Sequence, residues 1–324
     1  MISSRPRRPF RRRAWTAVPV LLALGAAAAC SAPASGEEPA PQVSVTPVDI
    51  KQPTSTPTLN ATPVVLDSTH LTLPLDAYLL SDRERADLTT AQDMLVTRCA
   101  ARYGVTLPPP PRHQQLGPRT YTERRYGLTD PVLAAADGYH LGARDPRNAG
   151  KPPTPDLSPT QALVLTGTRV TTDTPGTPDA PVQPVPAGGC LGEADRKLGG
   201  SWDNTDLVEA IDNNSVIDAT KNPQVLATFR AWSDCMKAKG HHYAAPWDAG
   251  NDPRFRGPRS TPTEVAVAVA DVTCKEKTNV VGVWYAVDAA YQKAFIAANK
   301  AALERARKDK ATHLRLAHRA RERP

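Results

Sequence analysis

The sequence predicts a mainly α-helical protein, in which one small domain is built of two disulfide-stapled helix pairs, arranged as a quasi-repeat with long proline-rich loops. Three observations predict this. Several segments open with Ser or Thr followed three residues later by Glu or Gln, a pattern that caps helix N-termini. Apolar residues then recur at three-to-four spacing, which is typical of amphipathic helices. The 33 prolines are concentrated between these segments, where they favour exposed loops.

Residues 1–29 are typical of a secretion signal. Six arginines and no acidic residue precede an apolar run from Ala14 to Ala29. Sixteen residues that include Pro19 are short for a membrane-spanning helix, which needs about 20. The small residues before Cys30 are similar to a bacterial lipobox, so we expect Cys30 to be acylated and to anchor the protein to the membrane. Ordinary signal-peptidase cleavage, which would give a secreted protein, is the alternative; either route predicts an extracytoplasmic location.

The next segment, residues 30–75, is rich in Pro, Thr, Ser and Ala and has few large apolar side chains. Such a composition cannot bury enough apolar surface to offset the entropy lost on ordering. We therefore expect a disordered, lipid-anchored tether, followed by a helical domain over 76–303. Residues 304–324 form a basic tail, for which we expect a solvated helix end or a disordered segment. Contact of this tail with anionic lipid or wall polymers is the alternative.

Two cysteine-bearing helices follow the same plan. The first spans Ser81–Gly104, opens with a capping box and places Cys99 on its apolar face. The second spans Asn222–Gly240, opens with an Asn cap followed by proline and places Cys235 on or near its apolar face. Both are expected to end at a glycine, which takes the left-handed conformation at helix C-termini.

Each of these helices is followed, across a proline-rich loop, by a second cysteine. A capping box at Thr261–Glu264 opens a helix that reaches Cys274. Residues 166–189 form an internal linker that leads to Cys190. Further helices are predicted to begin near Asp130, Ser158 and Val280.

Four cysteines remain apart from Cys30, and no pair shows the Cys-x-x-Cys spacing of a zinc or redox site. An even number in an exported chain predicts two disulfides. Three pairings are open, and the quasi-repeat favours Cys99 with Cys190 and Cys235 with Cys274. In the chain-entropy model each would stabilise the fold by roughly 4 to 5 kcal/mol. Whole domains are stable by only about 5 to 15 kcal/mol, so these bonds would contribute a large part of the free energy of folding.

The formal net charge of +7 is located at the two ends of the chain. Residues 1–29 hold six of the 40 basic residues, and residues 300–324 hold nine, with three acids. The intervening body has 25 basic against 30 acidic residues. A mildly acidic body excludes a nucleic-acid-binding surface of the usual basic kind, so we expect no nucleic-acid partner.

No catalytic, phosphate-binding or dinucleotide-binding motif is recognisable, so we expect no catalytic residue, cofactor or metal. A catalytic cysteine would pair Cys235 with His241 or His242, but its apolar helix position favours a disulfide role. A small-ligand or metal site would need His140, His241 and His242 to converge.

The candidate ligand-contact residues are aromatic and basic. Trp202 and Trp247 lie in polar stretches, where an indole ring can stack on a sugar. Arg124, Arg125 and Tyr126 form a basic-aromatic cluster suited to an anion. We take these five as candidate binding residues.

Several motifs together resemble those of a group of uncharacterised exported proteins and putative lipoproteins of actinomycetes, over about residues 76–298. The resemblance implies a helical, disulfide-bearing, extracytoplasmic protein and adds no catalytic residues. The motifs are Cys99-x4-Gly104, Arg124 to Pro131, Gly138-Tyr139-His140, Gly189-Cys190 with Glu193-Ala194, Trp232 to Gly240 with Pro246, Ala270-Asp271 to Cys274-Lys275, and Tyr291-Gln292.

These observations favour a non-enzymatic cell-envelope protein, displayed on a lipid anchor or secreted, which binds another protein or a cell-wall polymer. Two alternatives stay open. One is a cell-wall-directed hydrolase whose acid and base residues are dispersed in the sequence, and the other is an extracellular protein that binds a small ligand or a metal. Convergence of side chains in a concavity would discriminate between them.

Overall fold

A computed structural model describes residues 48–108, 116–150, 156–168, 184–202 and 205–322. Over these residues the chain forms ten α-helices, four short 3-10 helices and no strand, which confirms the predicted fold class. The secretion signal over 1–29 and the acylation site at Cys30 lie outside the described residues. The α-helices are α1 (Asp82–Ala101), α2 (Pro131–Asp137), α3 (Pro159–Thr166), α4 (Gly189–Lys197), α5 (Asp206–Lys221), α6 (Pro223–Ala238), α7 (Pro246–Gly250), α8 (Pro262–Thr278), α9 (Val280–Ala298) and α10 (Lys300–Glu322). The 3-10 helices are Pro74–Ala77, Gly142–Arg144, Pro146–Asn148 and Pro253–Phe255.

The predicted helix starts are present. Ser81 accepts a hydrogen bond from the backbone N–H of Glu84, and the Glu84 carboxylate accepts one from the Ser81 N–H, so both halves of the capping box form. At α8 only half of the predicted box forms, because Thr261 caps the helix while Glu264 accepts from the backbone N–H of Tyr139 at 2.9 Å. The Glu264 side chain is thereby buried between α8 and the segment after α2.

Both favoured disulfides are confirmed. Cys99 of α1 is bonded to Cys190 of α4, with the Cα atoms 5.5 Å apart. Cys235 of α6 is bonded to Cys274 of α8, with the Cα atoms 5.7 Å apart. Disulfides form and persist in oxidising compartments, so they are consistent with an extracytoplasmic location. No helix among the described residues is long and apolar enough to cross a membrane.

The apolar side chains form two main clusters, one around each disulfide. The larger surrounds Trp232 and Phe295 and lies between α5, α6, α8 and α9. The smaller surrounds Leu88 and Leu198 and lies between α1, α3, α4 and α10. Helix α9 is central to the larger cluster, because it packs on α5, α6, α8 and α10.

Residues 48–75 were expected to be part of the tether, but the segment packs on the helical domain from Ile50 onward. Leu73 and Leu75 are buried, and partly buried apolar residues of this segment pack on the larger cluster. Its backbone groups are paired with side-chain amides at helix ends. Asn299 both donates to and accepts from the backbone of Lys51, and Gln224 does the same with Leu59. These bonds satisfy a proline-rich backbone that has no strand partner.

The basic tail also differs from expectation, because it is a continuous helix packed on α1. Ala317 is buried in the smaller cluster, and Arg98 donates to the carbonyl of Ala320 at 3.0 Å. Lys310 lies 2.9 Å from Glu84 in an ion pair. The helix therefore belongs to the domain as far as residue 322, and the predicted boundary at residue 304 does not mark its end.

Gly282 offers a direct test of the packed N-terminal segment. A Cβ at this position would lie 2.0 Å from the Pro63 carbonyl oxygen and 2.3 Å from the Asn279 amide oxygen. Alanine normally stabilises a helix interior by about 1 kcal/mol relative to glycine. We expect Gly282→Ala instead to displace the segment around Pro63 and to increase proteolysis there. Gly257→Ala, whose Cβ would have only an ordinary contact at 3.6 Å, is the control. An unchanged cleavage pattern in Gly282→Ala would contradict the packing.

Candidate functional site

The candidate site is a cavity of about 270 Å³, formed by the turn over residues 124–128 and by helices α7, α8 and α9. It brings together three of the five candidate binding residues, Arg124, Arg125 and Trp247. The side chains that dominate its chemistry are Arg124, Arg125, Lys275, Tyr139, Trp247 and Trp284.

Arg125 is held by two buried carboxylates. Its Nε donates to Asp288 at 2.7 Å and its Nη1 donates to Asp212 at 2.8 Å. Its side chain is only 7% exposed, so both ion pairs are shielded from water. The third guanidinium nitrogen, Nη2, has no hydrogen-bond partner among the described residues. The two carboxylates therefore fix the guanidinium and leave one donor nitrogen free.

Further polar side chains complete the cluster around these carboxylates. Ser215 and Tyr126 donate to Asp288 at 3.0 and 2.8 Å, and Gln292 donates to Asp212 at 3.0 Å. Helices α5 and α9 are thus linked through polar atoms in the middle of an apolar interface.

Tyr126 was predicted as a contact residue, but it lies behind the cavity and is fully buried. Its ring packs edge-on against Trp284 at a centroid distance of 5.4 Å. Burial, together with the negative charge of Asp288 to which its hydroxyl donates, raises the pKa of Tyr126 far above its usual range. Tyr126 therefore positions Asp288 and Trp284.

A second ion pair, Lys275 with Asp271, forms part of the cavity wall. The two groups are 2.9 Å apart and fully buried. Lys275 also donates to the Leu128 carbonyl, and Asp271 also accepts from Trp232 at 2.9 Å and Tyr139 at 3.2 Å. Burial raises the pKa of Asp271 and lowers the pKa of Lys275, against their mutual attraction.

Gly127 makes room for this pair. Its φ is +81°, and a Cβ here would lie 2.6 Å from the Lys275 Nζ. Only glycine fits both the left-handed backbone and the close approach of the ammonium group.

An aromatic wall faces these charges. Trp247 is 40% exposed, whereas Trp284 is buried. The two indole rings are 5.7 Å apart at 72°, and Phe229 packs edge-on against both. Trp284 has no partner for its Nε1–H among the described residues. The wall therefore offers one exposed ring and, next to it, one buried donor.

Arg124 adds positive charge at the wall of the cavity. Its Nη2 donates to the His140 carbonyl at 3.2 Å, and no carboxylate of a described residue forms an ion pair with it. Partial burial lowers the pKa of Arg124, although arginine stays charged at any ordinary pH. The arrangement can thus bind a group rich in hydrogen-bond acceptors next to an aromatic face.

Trp202 lies elsewhere, in a groove of about 560 Å³ beside α10. It is partly buried against the smaller cluster. Two basic groups of this groove already have partners, since Lys310 pairs with Glu84 and His313 hydrogen-bonds the Leu198 carbonyl at 2.7 Å. The groove is larger than the cavity, but none of its described side chains presents a buried unpartnered donor.

The histidines give no metal site within the described residues, where no group of three or more His, Cys, Asp or Glu side chains could hold an ion. His140 is buried, with Nδ1 3.3 Å from Asp145 and Nε2 3.5 Å from Glu264. His241 and His242 are at least partly exposed just after α6. The catalytic-cysteine alternative was wrong, because the sulfur of Cys235 is bonded to Cys274.

The sequence patterns did not identify the polar residues that build the site. Asp288 and Asp271 each lie within an apolar helical run, and they are buried without breaking the helix. A charged residue in such a run is a usable signal, because carboxylates are almost never fully buried unless they are paired. Their partners, Arg125 and Lys275, could not be assigned without the fold.

Asp212 makes stability depend on pH. Burial and the nearby charges of Asp288 and Asp76 raise the pKa of Asp212 to about 7, although Arg125 lies 2.8 Å away. An acid whose pKa is raised by folding stabilises the fold fully below its unfolded pKa of about 4, and this stabilisation is lost as the pH rises to about 7.

We therefore expect Asp212→Asn to unfold with a flatter pH dependence than the wild type. Between pH 4 and pH 8, the unfolding free energy of the wild type should fall relative to that of Asp212→Asn by as much as about 4 kcal/mol. The variant is therefore favoured at high pH. Urea unfolding followed by tryptophan fluorescence measures it, with Asp218→Asn on the exposed side of α5 as control. Parallel pH profiles for the wild type and Asp212→Asn would contradict the assignment.

Comparisons with known proteins add no relative. No protein-family model matches the chain, no curated protein matches it, and no solved structure matches it. What can be inferred about a ligand therefore starts from the side chains of the cavity, above all Arg125 and Trp284.

Proposed function

We propose that this protein is a non-enzymatic binding protein of the cell envelope, which receives a group of a cell-wall polymer in the cavity beside Trp247. It is displayed on an acylated Cys30, or secreted if that residue is not modified. The relationship to exported actinomycete proteins belongs to the same proposal. The two disulfides support an oxidising compartment.

The observation that carries the proposal is the exposed indole of Trp247 at a cavity whose walls are cationic and aromatic. Trp247 is braced by Phe229 and Trp284, so its exposed ring is held in place before a ligand arrives. Rigid aromatic surfaces of this kind contribute binding energy at low entropic cost. Sugar rings, which are abundant in cell walls, present apolar faces that stack on indoles.

A binding role is also supported by the way the charged groups of the cavity are engaged. Asp271 is the carboxylate among its described lining residues, and it is held by Lys275, Trp232 and Tyr139. The Lys275 amine in turn donates to Asp271 and to the Leu128 carbonyl. A wall-directed hydrolase would need a carboxyl group that is free to exchange a proton with substrate.

Replacement of Trp247 tests the binding site. We expect Trp247→Ala to weaken binding of the full chain to isolated cell walls by about 5- to 30-fold, which corresponds to about 1 to 2 kcal/mol of lost stacking. Cosedimentation at increasing wall concentration gives the affinities. Trp202→Ala, in the other groove, is the matched control and should bind like the wild type. Equal binding by Trp247→Ala and the wild type would exclude the cavity as the site.

Acylation is tested separately at Cys30. We expect the wild-type protein in the membrane fraction, with lipid on the N-terminal cysteine of the mature chain, because a cysteine that follows small residues suits lipoprotein processing. Mass spectrometry of the N-terminal peptide measures this, and Cys30→Ala should be released into the medium. An unmodified N-terminus and release of the wild type would instead indicate a secreted protein.

A further inference from the structure

We propose that the cavity binds an anionic group, a carboxylate or a phosphate, through Arg125 Nη2 and Trp284 Nε1. This inference rests on the proposed function, because it takes the same cavity as the ligand site and adds the chemistry of the group that enters it.

Two hydrogen-bond donors of the cavity residues have no partner among the described residues. Buried polar atoms in folded proteins nearly always have hydrogen-bond partners. Among the described residues four buried side-chain atoms lack one, and two of these, Arg125 Nη2 and Trp284 Nε1, belong to residues that line this one cavity. The other two, on His140 and Glu264, belong to groups that lie 3.5 Å apart at their nearest atoms. Both residues line the same cavity, so a ligand bound there that accepts from both would satisfy the two donors.

The side chains that carry these two donors are held in fixed orientations by their neighbours. Asp288 and Asp212 hold two of the three guanidinium nitrogens of Arg125. The ring of Trp284 is held edge-on by Tyr126 at 5.4 Å and by Phe229 at 5.2 Å. Donors fixed in this way bind an acceptor without an entropic cost of ordering. A group with two or more equivalent oxygens, such as a carboxylate or a phosphate, can accept from both.

The cavity lining holds more cationic than anionic side chains. Arg124, Arg125 and Lys275 line the cavity, against the single carboxylate of Asp271 among its described lining residues. Asp271 compensates Lys275 and Asp288 compensates Arg125, whereas Arg124 has no carboxylate in ion-pair contact among the described residues. Burial also raises the pKa of Asp212 to about 7, so part of the charge opposite Arg125 is absent at neutral pH. The balance therefore favours an anion over a neutral acceptor.

The volume of the cavity limits the size of the ligand. A volume of about 270 Å³ corresponds to roughly nine water molecules, which is enough for an anionic group and part of the ring that carries it. That ring would lie against the exposed face of Trp247. The cavity is too small for a long chain, so it fits a terminal or pendant acidic group.

The test is a titration of the ¹⁵N-labelled full chain, observed at the indole N–H resonances of its tryptophans. Sodium phosphate and sodium acetate are added separately, with chloride adjusted to keep the ionic strength constant. We expect a saturable shift of the Trp284 resonance. The Trp232 resonance should not move, because its N–H already donates to Asp271, and the Trp202 resonance serves as a control in the other groove.

Variants separate the site from general charge effects. Arg125→Lys keeps the positive charge but lacks the unpartnered Nη2. We expect this variant to bind the anion at least tenfold more weakly. Should Arg125→Lys fail to fold, Arg124→Gln provides the test. It removes one cation of the cavity and breaks no buried ion pair, and we expect it to bind the anion severalfold more weakly. Arg230→Gln, on the exposed part of α6, should leave the titration unchanged.

The outcomes are distinct. A shift with phosphate alone identifies a phosphate-bearing group, and a shift with acetate alone identifies a carboxylate-bearing one. No saturable shift of Trp284 with either anion overturns the inference, as does a shift that is the same in the folded arginine variants. Wall binding that depends on Trp247 would survive such a result, so failure of the anion site and failure of the proposed function can be told apart.

Discussion

The guanidinium of Arg125, held between the carboxylates of Asp288 and Asp212, joins three parts of the chain that are distant in sequence. Its own turn precedes α2, Asp212 belongs to α5 and Asp288 belongs to α9. Loss of one partner from a buried ion pair typically costs about 3 to 5 kcal/mol, because the other charge is left uncompensated. The position of this turn, and with it part of the cavity lining, depends on the contacts among these three side chains.

Apolar side chains of similar volume would hold these helices together at least as stably, since desolvation offsets much of the attraction within a buried ion pair. They would not, however, place an arginine in the lining of the cavity. Lys275 and Asp271 also line the cavity, and their close approach to the turn requires a glycine at position 127. Buried charges thus lie where they shape the site, whereas apolar side chains pack around Trp232 and Phe295 elsewhere.

The features that depend on neighbouring residues in the sequence could be predicted, whereas those that depend on tertiary partners could not. The capping box at Ser81 and the pairing of Cys235 with Cys274 follow from local patterns and were correct. Helix α5 was not predicted, because two of its buried positions are the polar Asp212 and Ser215, which hide its apolar period. The cationic and aromatic character of the site was predicted in part, through Trp247, Arg124 and Arg125. The buried carboxylates that orient Arg125 become evident only once α5 and α9 are in contact.

The segment over residues 48–75 has a mechanical consequence for a chain that is held at its N-terminus. Its bonds to side-chain amides come in order along the chain, first at Asn299, then at Asn222 and Gln224, then at Asn279. Tension applied from the N-terminal side would load these bonds one group at a time, as in peeling, and would not pull on either disulfide loop. Once completely released, residues 48–75 would span at most about 90 Å, at roughly 3.3 Å per residue. The domain could thus extend its reach under load while its two cores stay folded, a length change that single-molecule pulling would measure directly.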